Sequence, residues 1–297
     1  MQGSHKGTSA AAHRLAQRFP GVEMAQTIEG GTPATTAGAG GRTPTVQPRA
    51  KRTGPWPIEF YRSAIGKKWV MAVSGIVLLG FVLAHLIGNL KFYLSKQEID
   101  LYGEALRDMP GHLLPRTVLL WTIRIVLTSA FVFHIHAAYS LTRMNRRARP
   151  VGYQAPREYV AANFASRTMR WTGIIVLAFL AFHLADLTWG AANGSRFVRG
   201  DPYNNLIFSF RRPVVAVLYV VANLALGIHI FHGAWSLFQS LGINNPRYNK
   251  ARLRFAQGFA AVIVLGNISF PIAVQAHLVT PKCPDQRPPT AACPARG

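Results

Sequence analysis

Acidic residues, and charged residues in general, are scarce in this chain. Its 297 residues include 11 Asp+Glu against 33 Lys+Arg, the formal net charge is +22, and only 15% of residues are charged. A soluble domain usually has about a quarter of its residues charged. Hydrophobic residues reach 49%, and the charges are confined to a few stretches. This pattern excludes an ordinary soluble enzyme, and it argues against a nucleic-acid binder despite the excess of positive charge.

Cysteine is almost absent as well, since the chain has only Cys283 and Cys293. Two cysteines cannot build a disulfide scaffold. The N-terminal segment lacks an apolar run behind its first basic residues, so it does not resemble a cleavable signal peptide. Residues 1–55 are rich in Gly, Ala, Thr and Pro, and this composition predicts a disordered tail.

Long apolar runs are abundant, and each of five is long enough for the roughly 20 residues that a membrane-crossing helix needs. They are Trp69–Leu90, Val118–Leu141, Trp171–Trp189, Pro213–Phe238 and Phe255–Val279. Tryptophan and tyrosine lie near several of their ends, as in an interfacial belt. We therefore predict an all-α membrane protein, with a five-helix transmembrane bundle at residues 56–280 and a Pro-rich tail at 281–297. Pro271, inside the fifth segment, is expected to kink it.

Charges between the apolar segments predict an orientation, because cytoplasmic loops are enriched in Lys and Arg. Residues 142–170 contain seven Arg and one Glu, and residues 239–254 contain four basic residues and no acid. Residues 91–117 balance four bases with four acids. The N-terminus and the two basic loops are therefore predicted to be cytoplasmic, and the C-terminus to lie outside.

Histidines are the most unusual feature of the apolar segments, because polar groups at membrane depth are costly and commonly functional. The first four segments contain His85, His134, His136, His183, His229 and His232. At a helical rise of about 1.5 Å per residue, His85 and His183 fall in an outer layer and His136 and His229 in an inner one. Two layers of two imidazoles suit two bis-histidine haems. The alternative is that each histidine merely hydrogen-bonds a neighbouring helix.

The other polar residues in these segments leave alternatives open. His134 lies two residues from His136 and faces nearly the opposite way, whereas His229 and His232 share a helix face. Arg124 and Asp186 both fall in the predicted outer half. They either neutralise each other, or Arg124 holds a haem propionate while Asp186 handles protons for quinone chemistry.

Four motifs occur in order along the chain, and together they resemble the motifs of a known family. They are Ser74-Gly75-Ile76 with Ala84-His85-Leu86-Ile87-Gly88-Asn89, then His136-Ala137-Ala138-Tyr139 with Asn145-Arg146-Arg147-Ala148-Arg149-Pro150, then Thr172-Gly173-Ile174 with His183-Leu184-Ala185-Asp186, and His229-Ile230-Phe231-His232-Gly233-Ala234-Trp235. Over about residues 60–280, the sequence resembles the cytochrome b558-type membrane anchor of succinate:quinone oxidoreductases, the succinate dehydrogenases and fumarate reductases.

The resemblance implies a function and a set of partners. It implies that the chain anchors a flavoprotein subunit and an iron–sulfur subunit at a bacterial cytoplasmic membrane, and passes electrons from succinate to a quinone, with menaquinone expected. Succinate oxidation would occur on those partner subunits. The resemblance also implies two haem b groups bound by His85, His136, His183 and His229, with His134 and His232 as extras. Some members have a Glu where this chain has Gly227, which argues against their transmembrane proton path.

The C-terminal cysteines suggest two further alternatives. A disulfide is the ordinary state of two cysteines outside the membrane. Two Cys and two His also form the ligand set of a Rieske-type [2Fe–2S] centre, which would combine Cys283 and Cys293 with His85 and His183, or with His277. A competing class of function is a non-redox membrane scaffold or a proton-relaying transporter, although the sequence has no inverted repeat of the kind transporters use.

Overall fold

The computed structural model describes residues 54–109, 111, 115–148, 163–193, 197–243 and 245–282, with only the backbone described at 163–167. The chain divides into two units, Met1–Lys51 and Arg52–Gly297, and every described residue belongs to the second. The described residues form helices and no strand, which confirms the all-α prediction. Nearly all of the predicted tails at 1–55 and 281–297 lie outside the described residues, and so do Cys283 and Cys293.

The described residues form eight α-helices. They are α1 (Trp56–Arg62), α2 (Ala64–Asn89), α3 (Lys96–Asp108), α4 (Val118–Ala148), α5 (Asn163–His183), α6 (Pro202–Phe210), α7 (Pro213–Ser240) and α8 (Asn249–Gln275). A 3-10 turn, Leu90–Tyr93, extends α2, and a π-helical turn, Leu184–Thr188, extends α5. A further 3-10 turn, Pro246–Tyr248, leads into α8.

Five stretches are long and apolar enough to cross a membrane, which confirms the five predicted spans. They are Ala64–Tyr93, Val118–Ala148, Thr168–Thr188, Pro213–Ser240 and Pro246–Gln275. The first begins earlier than predicted because Ser63 caps α2, its side chain accepting a hydrogen bond from the Gly66 amide at 2.9 Å. The last contains Pro271 within its helix and ends at Gln275, after which His277 takes a positive φ of 57°.

Among the spanning helices, α2 contacts three others. Helix α2 packs against α4, α5 packs against α7, and α7 packs against α8, while α2 also contacts both α7 and α8. Leu86, Ile230, Ile263 and Phe270 belong to the buried core between them. Apolar side chains also cover the outer faces, as lipid-exposed helices require.

A small substructure covers one end of the bundle. Helices α3 and α6 connect successive spans at the same end and pack on each other, and we call them the α3–α6 cap. Residues 203–210 of α6 are all buried, and Tyr203 packs on Phe92 with ring centroids 5.0 Å apart. The opposite end, which carries the basic loops, is called the basic end.

Candidate cofactor site

Two histidines from the first and third spans face each other near the α3–α6 cap. The ring centroids of His85 and His183 lie 6.0 Å apart, with their planes at 83°. The Nδ1 of His183 lies 3.3 Å from the Tyr219 hydroxyl, and the Nε2 of His85 lies 3.3 Å from the Asn89 amide nitrogen. We call these two histidines the cap-side pair, and they are the outer pair that depth along the helices predicted.

A second pair joins the second and fourth spans closer to the basic end. The ring centroids of His134 and His229 lie 6.4 Å apart, with their planes at 61°. We call these two histidines the basic-side pair. Both pairs therefore combine one residue from the first two spans with one from the third and fourth.

The basic-side pair differs from the predicted inner pair, which combined His136 with His229. The structure instead places the His136 ring against Tyr61 of α1, with centroids 5.7 Å apart and a short hydrogen bond between Nδ1 and the Tyr61 hydroxyl. Two residues of helix correspond to about 200° of rotation, so His134 and His136 cannot both face His229. Depth alone does not tell them apart, because they differ by only about 3 Å along the axis.

Two hydroxyls define the proton positions of the basic-side pair. The Ser74 hydroxyl donates to the Val70 carbonyl at 2.7 Å, so toward His134 Nδ1, which lies 3.2 Å away, it can only accept. A hydroxyl has a single hydrogen. With the Ser74 hydrogen placed on the Val70 carbonyl, His134 is assigned the tautomer with its hydrogen on Nδ1, which leaves a lone pair on Nε2, the form in which imidazole binds a metal.

The same arrangement recurs on the partner histidine. The Thr172 hydroxyl donates to the Met169 carbonyl at 3.0 Å and lies 3.4 Å from His229 Nδ1. The same placement of the hydroxyl hydrogen assigns the His229 hydrogen to Nδ1. Hydrogen bonds of this kind orient metal-binding histidines and fix their tautomer.

Glycines next to these hydroxyl residues leave room for the two rings. A Cβ atom added at Gly75 would lie 3.6 Å from His134 Cε1, and one added at Gly173 would lie 3.4 Å from His229 Cε1. A larger side chain at either position would meet the imidazole. A Cβ atom alone would make an ordinary contact at these distances, so only a side chain longer than that of alanine would press on the ring.

The separation within each pair fits one metal ion between two imidazoles. A bond of about 2.0–2.1 Å from each ring nitrogen to the ion would put the two ring centroids about 6.3 Å apart. The observed separations are 6.0 Å and 6.4 Å. No group of three or more His, Cys, Asp or Glu residues in the described part of the chain is arranged to hold a metal ion.

Asp186 is fully buried beside the cap-side pair, but its charge partner is not the predicted one. Arg212 Nη2 lies 2.6 Å from Asp186 Oδ1, Tyr219 donates to Oδ2 at 3.1 Å, and Ser209 also donates to Oδ2. The π-helical turn that follows His183 contains Asp186, and such turns often occur at functional sites. The suggested pairing of Asp186 with Arg124 is therefore wrong.

Of the remaining candidate residues, His232 lies one helical turn from His229 and interacts with it, while Arg124 and His277 belong to neither pair. Arg124 is exposed and stacks on the Trp121 ring, 5.1 Å from its centroid. His232 Nδ1 is buried and has no hydrogen-bond partner among the described residues. His277 is exposed just beyond α8. Cys283 and Cys293 lie outside the described residues, so the disulfide and the Rieske alternatives stay predictions.

The residues that orient the pairs were not identified from the sequence, although a signal for them exists. Ser74-Gly75-Ile76 and Thr172-Gly173-Ile174 are alike, and in each case a histidine follows the glycine by ten residues, at His85 and His183. The repeat relates the first span to the third. It marks Ser74 and Thr172 as equivalent positions. Tyr219 and Arg212 have no comparable pattern, because they meet His183 and Asp186 only in three dimensions.

The fold and the site define the class of this protein: a multi-pass helical membrane protein with two pairs of facing histidines on its spanning helices. Residues 153–266 match the sequence model of the succinate dehydrogenase/fumarate reductase transmembrane subunit family, which confirms the predicted resemblance. The matched segment contains His183 and His229, one histidine of each pair. No curated protein and no solved structure gave a match.

Proposed function

We propose that this chain is the membrane anchor and electron-transfer subunit of a succinate dehydrogenase, passing electrons from an iron–sulfur subunit to a membrane quinone, with menaquinone expected. Succinate oxidation would take place on the partner flavoprotein subunit. The family match over residues 153–266 supports the anchor role. The separation of both histidine pairs, 6.0 Å and 6.4 Å, is the observation that carries the redox role.

Each pair would hold one haem b. His85 and His183 would bind the cap-side haem, and His134, in place of His136, would bind the basic-side haem together with His229. When bound, the two haems supply one-electron carriers at two depths of the membrane. An electron path from one membrane face toward the other needs this arrangement.

Different residues would hydrogen-bond the histidine Nδ1 atoms at the two pairs. Ser74 and Thr172 would accept the Nδ1 hydrogens of the basic-side pair and leave each Nε2 free to bind the haem iron. At the cap-side pair, the Tyr219 hydroxyl donates to the Asp186 carboxylate, and its oxygen is left to accept from His183 Nδ1. Hydrogen-bonded partners of this kind raise the basicity of a ligating imidazole.

The decisive experiment is a haem analysis of the purified chain and its histidine variants. We expect b-type bands in the reduced-minus-oxidised spectrum and two haems per chain. His85→Ala and His183→Ala should each remove one haem, and His134→Ala and His229→Ala should remove the other. His136→Ala and His232→Ala are the matched controls and should keep both haems.

Three other results would contradict parts of this proposal. A metal-free chain would favour the non-redox scaffold or the proton-relaying transporter. Non-haem iron with labile sulfide would favour the Rieske alternative at the cap side. Loss of a haem in His136→Ala but not in His134→Ala would restore the ligand set implied by the family resemblance.

Membership of a larger complex is tested separately. An affinity-tagged chain expressed from its native locus should copurify a flavoprotein and an iron–sulfur protein from the bacterial cytoplasmic membrane, with succinate:quinone reductase activity in the same fraction. A haem-loaded chain that copurifies with neither protein would overturn the assignment to succinate dehydrogenase and leave the two haem sites intact.

A further inference from the structure

A cavity of about 410 Å³ opens at the basic end of the bundle, between α2 and α4. Its lining includes Lys67 from α2 and His136, Tyr139, Arg143 and Arg147 from α4. Three of these side chains are cationic, and the lining contains no carboxylate. The cavity therefore concentrates positive charge where two membrane-spanning helices approach each other.

Lys67 is the most informative residue of this cavity because it is only 9% exposed. Its ammonium donates to the Tyr61 carbonyl at 3.1 Å and lies 4.7 Å from the centroid of the Tyr61 ring. No carboxylate of the described residues forms an ion pair with it. A buried ammonium without an anion is costly, and buried charges in folded proteins are almost always paired.

Arg143 and Arg147 add two further positive charges to the cavity. Arg143 and Arg147 are one helical turn apart on α4, and like charges at that spacing repel each other. Neither forms an ion pair with the described residues of the chain. An anion in the cavity would relieve the repulsion and would provide the missing partner of Lys67.

The depth of the cavity indicates where that anion comes from. Tyr139 lines it and is 64% exposed, and Trp69, two residues after Lys67, is 42% exposed. Exposed tyrosine and tryptophan at the ends of spanning helices mark the level of lipid headgroups. Basic pockets between transmembrane helices bind anionic headgroups at this level.

We infer that the cavity binds the phosphate of an anionic phospholipid. The Lys67 ammonium and the guanidinium groups of Arg143 and Arg147 would surround the phosphate, and the acyl chains would lie along the apolar faces of α2 and α4. His136 faces this cavity while His134 faces His229, so the lipid site and the basic-side pair use different faces of α4. The inference does not depend on the proposed haems.

The test uses phosphatidylglycerol as the probe and the neighbouring lysine as the matched control. The full-length chain is reconstituted into phosphatidylcholine nanodiscs containing phosphatidylglycerol, extracted, and analysed by native mass spectrometry for retained lipid. Lys67→Gln should lower phosphatidylglycerol retention by at least about fivefold, the factor equivalent to about 1 kcal/mol for one cation near an anionic headgroup. Lys68→Gln removes an exposed charge next to it and should retain the lipid like the wild type.

A second variant keeps the test decisive if Lys67→Gln does not fold. Arg143→Gln/Arg147→Gln removes the two exposed cations and should also lower retention. Equal retention by the wild type and both cavity variants would overturn the inference. Displacement of the lipid by millimolar inorganic phosphate would show a site for the free ion instead. A spectral change of a haem with unchanged lipid retention would assign the cavity to a haem propionate.

Discussion

Asp186 shows, at the scale of single residues, how a carboxylate is kept inside an apolar bundle. It has no exposed surface, and the guanidinium of Arg212 neutralises it from 2.6 Å while Tyr219 and Ser209 donate to its second oxygen. Arg212 also donates to the Ala192 carbonyl at 2.6 Å. All the strong acceptors of the carboxylate are thereby satisfied, which is the condition for burying a charge.

Removal of Arg212 alone should therefore be more harmful than removal of the whole pair. Arg212→Met leaves the Asp186 charge buried without a partner and should destabilise the chain by about 3 kcal/mol. The double variant Asp186→Asn/Arg212→Met should recover part of this loss, because no unpaired charge remains. Unfolding of the purified chain in detergent, followed by intrinsic tryptophan fluorescence, measures both effects. Additive losses in the double variant would contradict the direct pairing.

At the scale of elements, helix α2 contacts helix α4 where Gly75 lies against the His134 ring. The equivalent contact of α5 with α7 places Gly173 against His229. Each helix pair thus has a glycine, a hydroxyl residue and a histidine in register. A long side chain at the glycine position should therefore press on the ring.

Gly75→Leu should consequently remove the basic-side haem and leave the cap-side haem. Leucine is about 1 kcal/mol better than glycine in a helix, so loss of the haem would not reflect a weakened helix. Gly80→Leu on the same helix is the matched control, because an added Cβ there has no described neighbour within 4 Å. Haem content per chain is the measurement. Two haems in Gly75→Leu would show that the ring position does not depend on this contact.

Also at the scale of elements, ion pairs of Lys96 join α3 to α6 in the α3–α6 cap. Lys96 Nζ lies 2.6 Å from both Asp100 and Asp201, and Asp201 also caps α6 by accepting from the Asn204 amide at 3.2 Å. Burial by itself lowers the pKa of Lys96, but the hydrogen bonds and charges of the two carboxylates outweigh it, so the pKa is raised above 10.5. The charged form is therefore favoured by folding.

The pH dependence of the Lys96 ion pairs follows from the direction in which the pKa of Lys96 is shifted. Because the folded pKa is raised, the stabilisation is fully present below pH 10.5, the ordinary value, and is lost as the pH rises through the folded pKa. Lys96→Met should cost about 2 kcal/mol near neutral pH. The difference in melting temperature from the wild type should persist to pH 10 and shrink above it.

The matched control for this prediction is the more exposed ion pair of the cap. Lys91 pairs with Glu98 at 3.2 Å, with 36% and 47% of the two side chains exposed. Lys91→Met should therefore cost less than about 1 kcal/mol, as surface pairs do. Equal losses in the two variants would show that burial of the Lys96 pair contributes nothing.

For the whole molecule, the sequence predicts the large features because hydropathy alone determines them. The five spans agree with the predicted segments apart from a few residues at their ends, since a lipid-crossing helix must be apolar over its length. The sequence did not predict which of His134 and His136 faces His229. That depends on the rotation of α4, which the contacts at Ser74 and Gly75 fix.

The charge partner of Asp186 could not be predicted from the sequence either, because the two residues meet only in the folded chain. Arg212 precedes α7 and lies 26 positions after Asp186 along the chain. The two side chains meet because α6 packs against the π-helical turn at Leu184–Thr188, which contains Asp186. Neither the packing of α6 nor the added residue in the turn has a hydropathy signature.

The orientation of the bundle is a whole-molecule property that the positive charges predict. Residues 142–170 and 239–254 at the basic end carry eleven basic residues against one Glu, whereas the α3 connection at the other end balances four bases with four acids. Residues 191–212 are a mild exception, with four Arg and one Asp. Orientation follows such an asymmetry because positive loops stay on the cytoplasmic side. The basic end should therefore be cytoplasmic, and the α3–α6 cap should lie outside.

Fusions to alkaline phosphatase, which needs an oxidising compartment to form its disulfides, measure this orientation directly. A fusion after residue 280 should be active, and one after residue 148 should be inactive. A fusion after residue 109, in the α3 connection, should again be active. Green fluorescent protein at the same three positions should give the opposite pattern, because it fluoresces when it folds in the cytoplasm. If the two reporters gave the reverse result at every position, the cavity around Lys67 would face the outer leaflet, and the docking face for an iron–sulfur partner would have to be the α3–α6 cap.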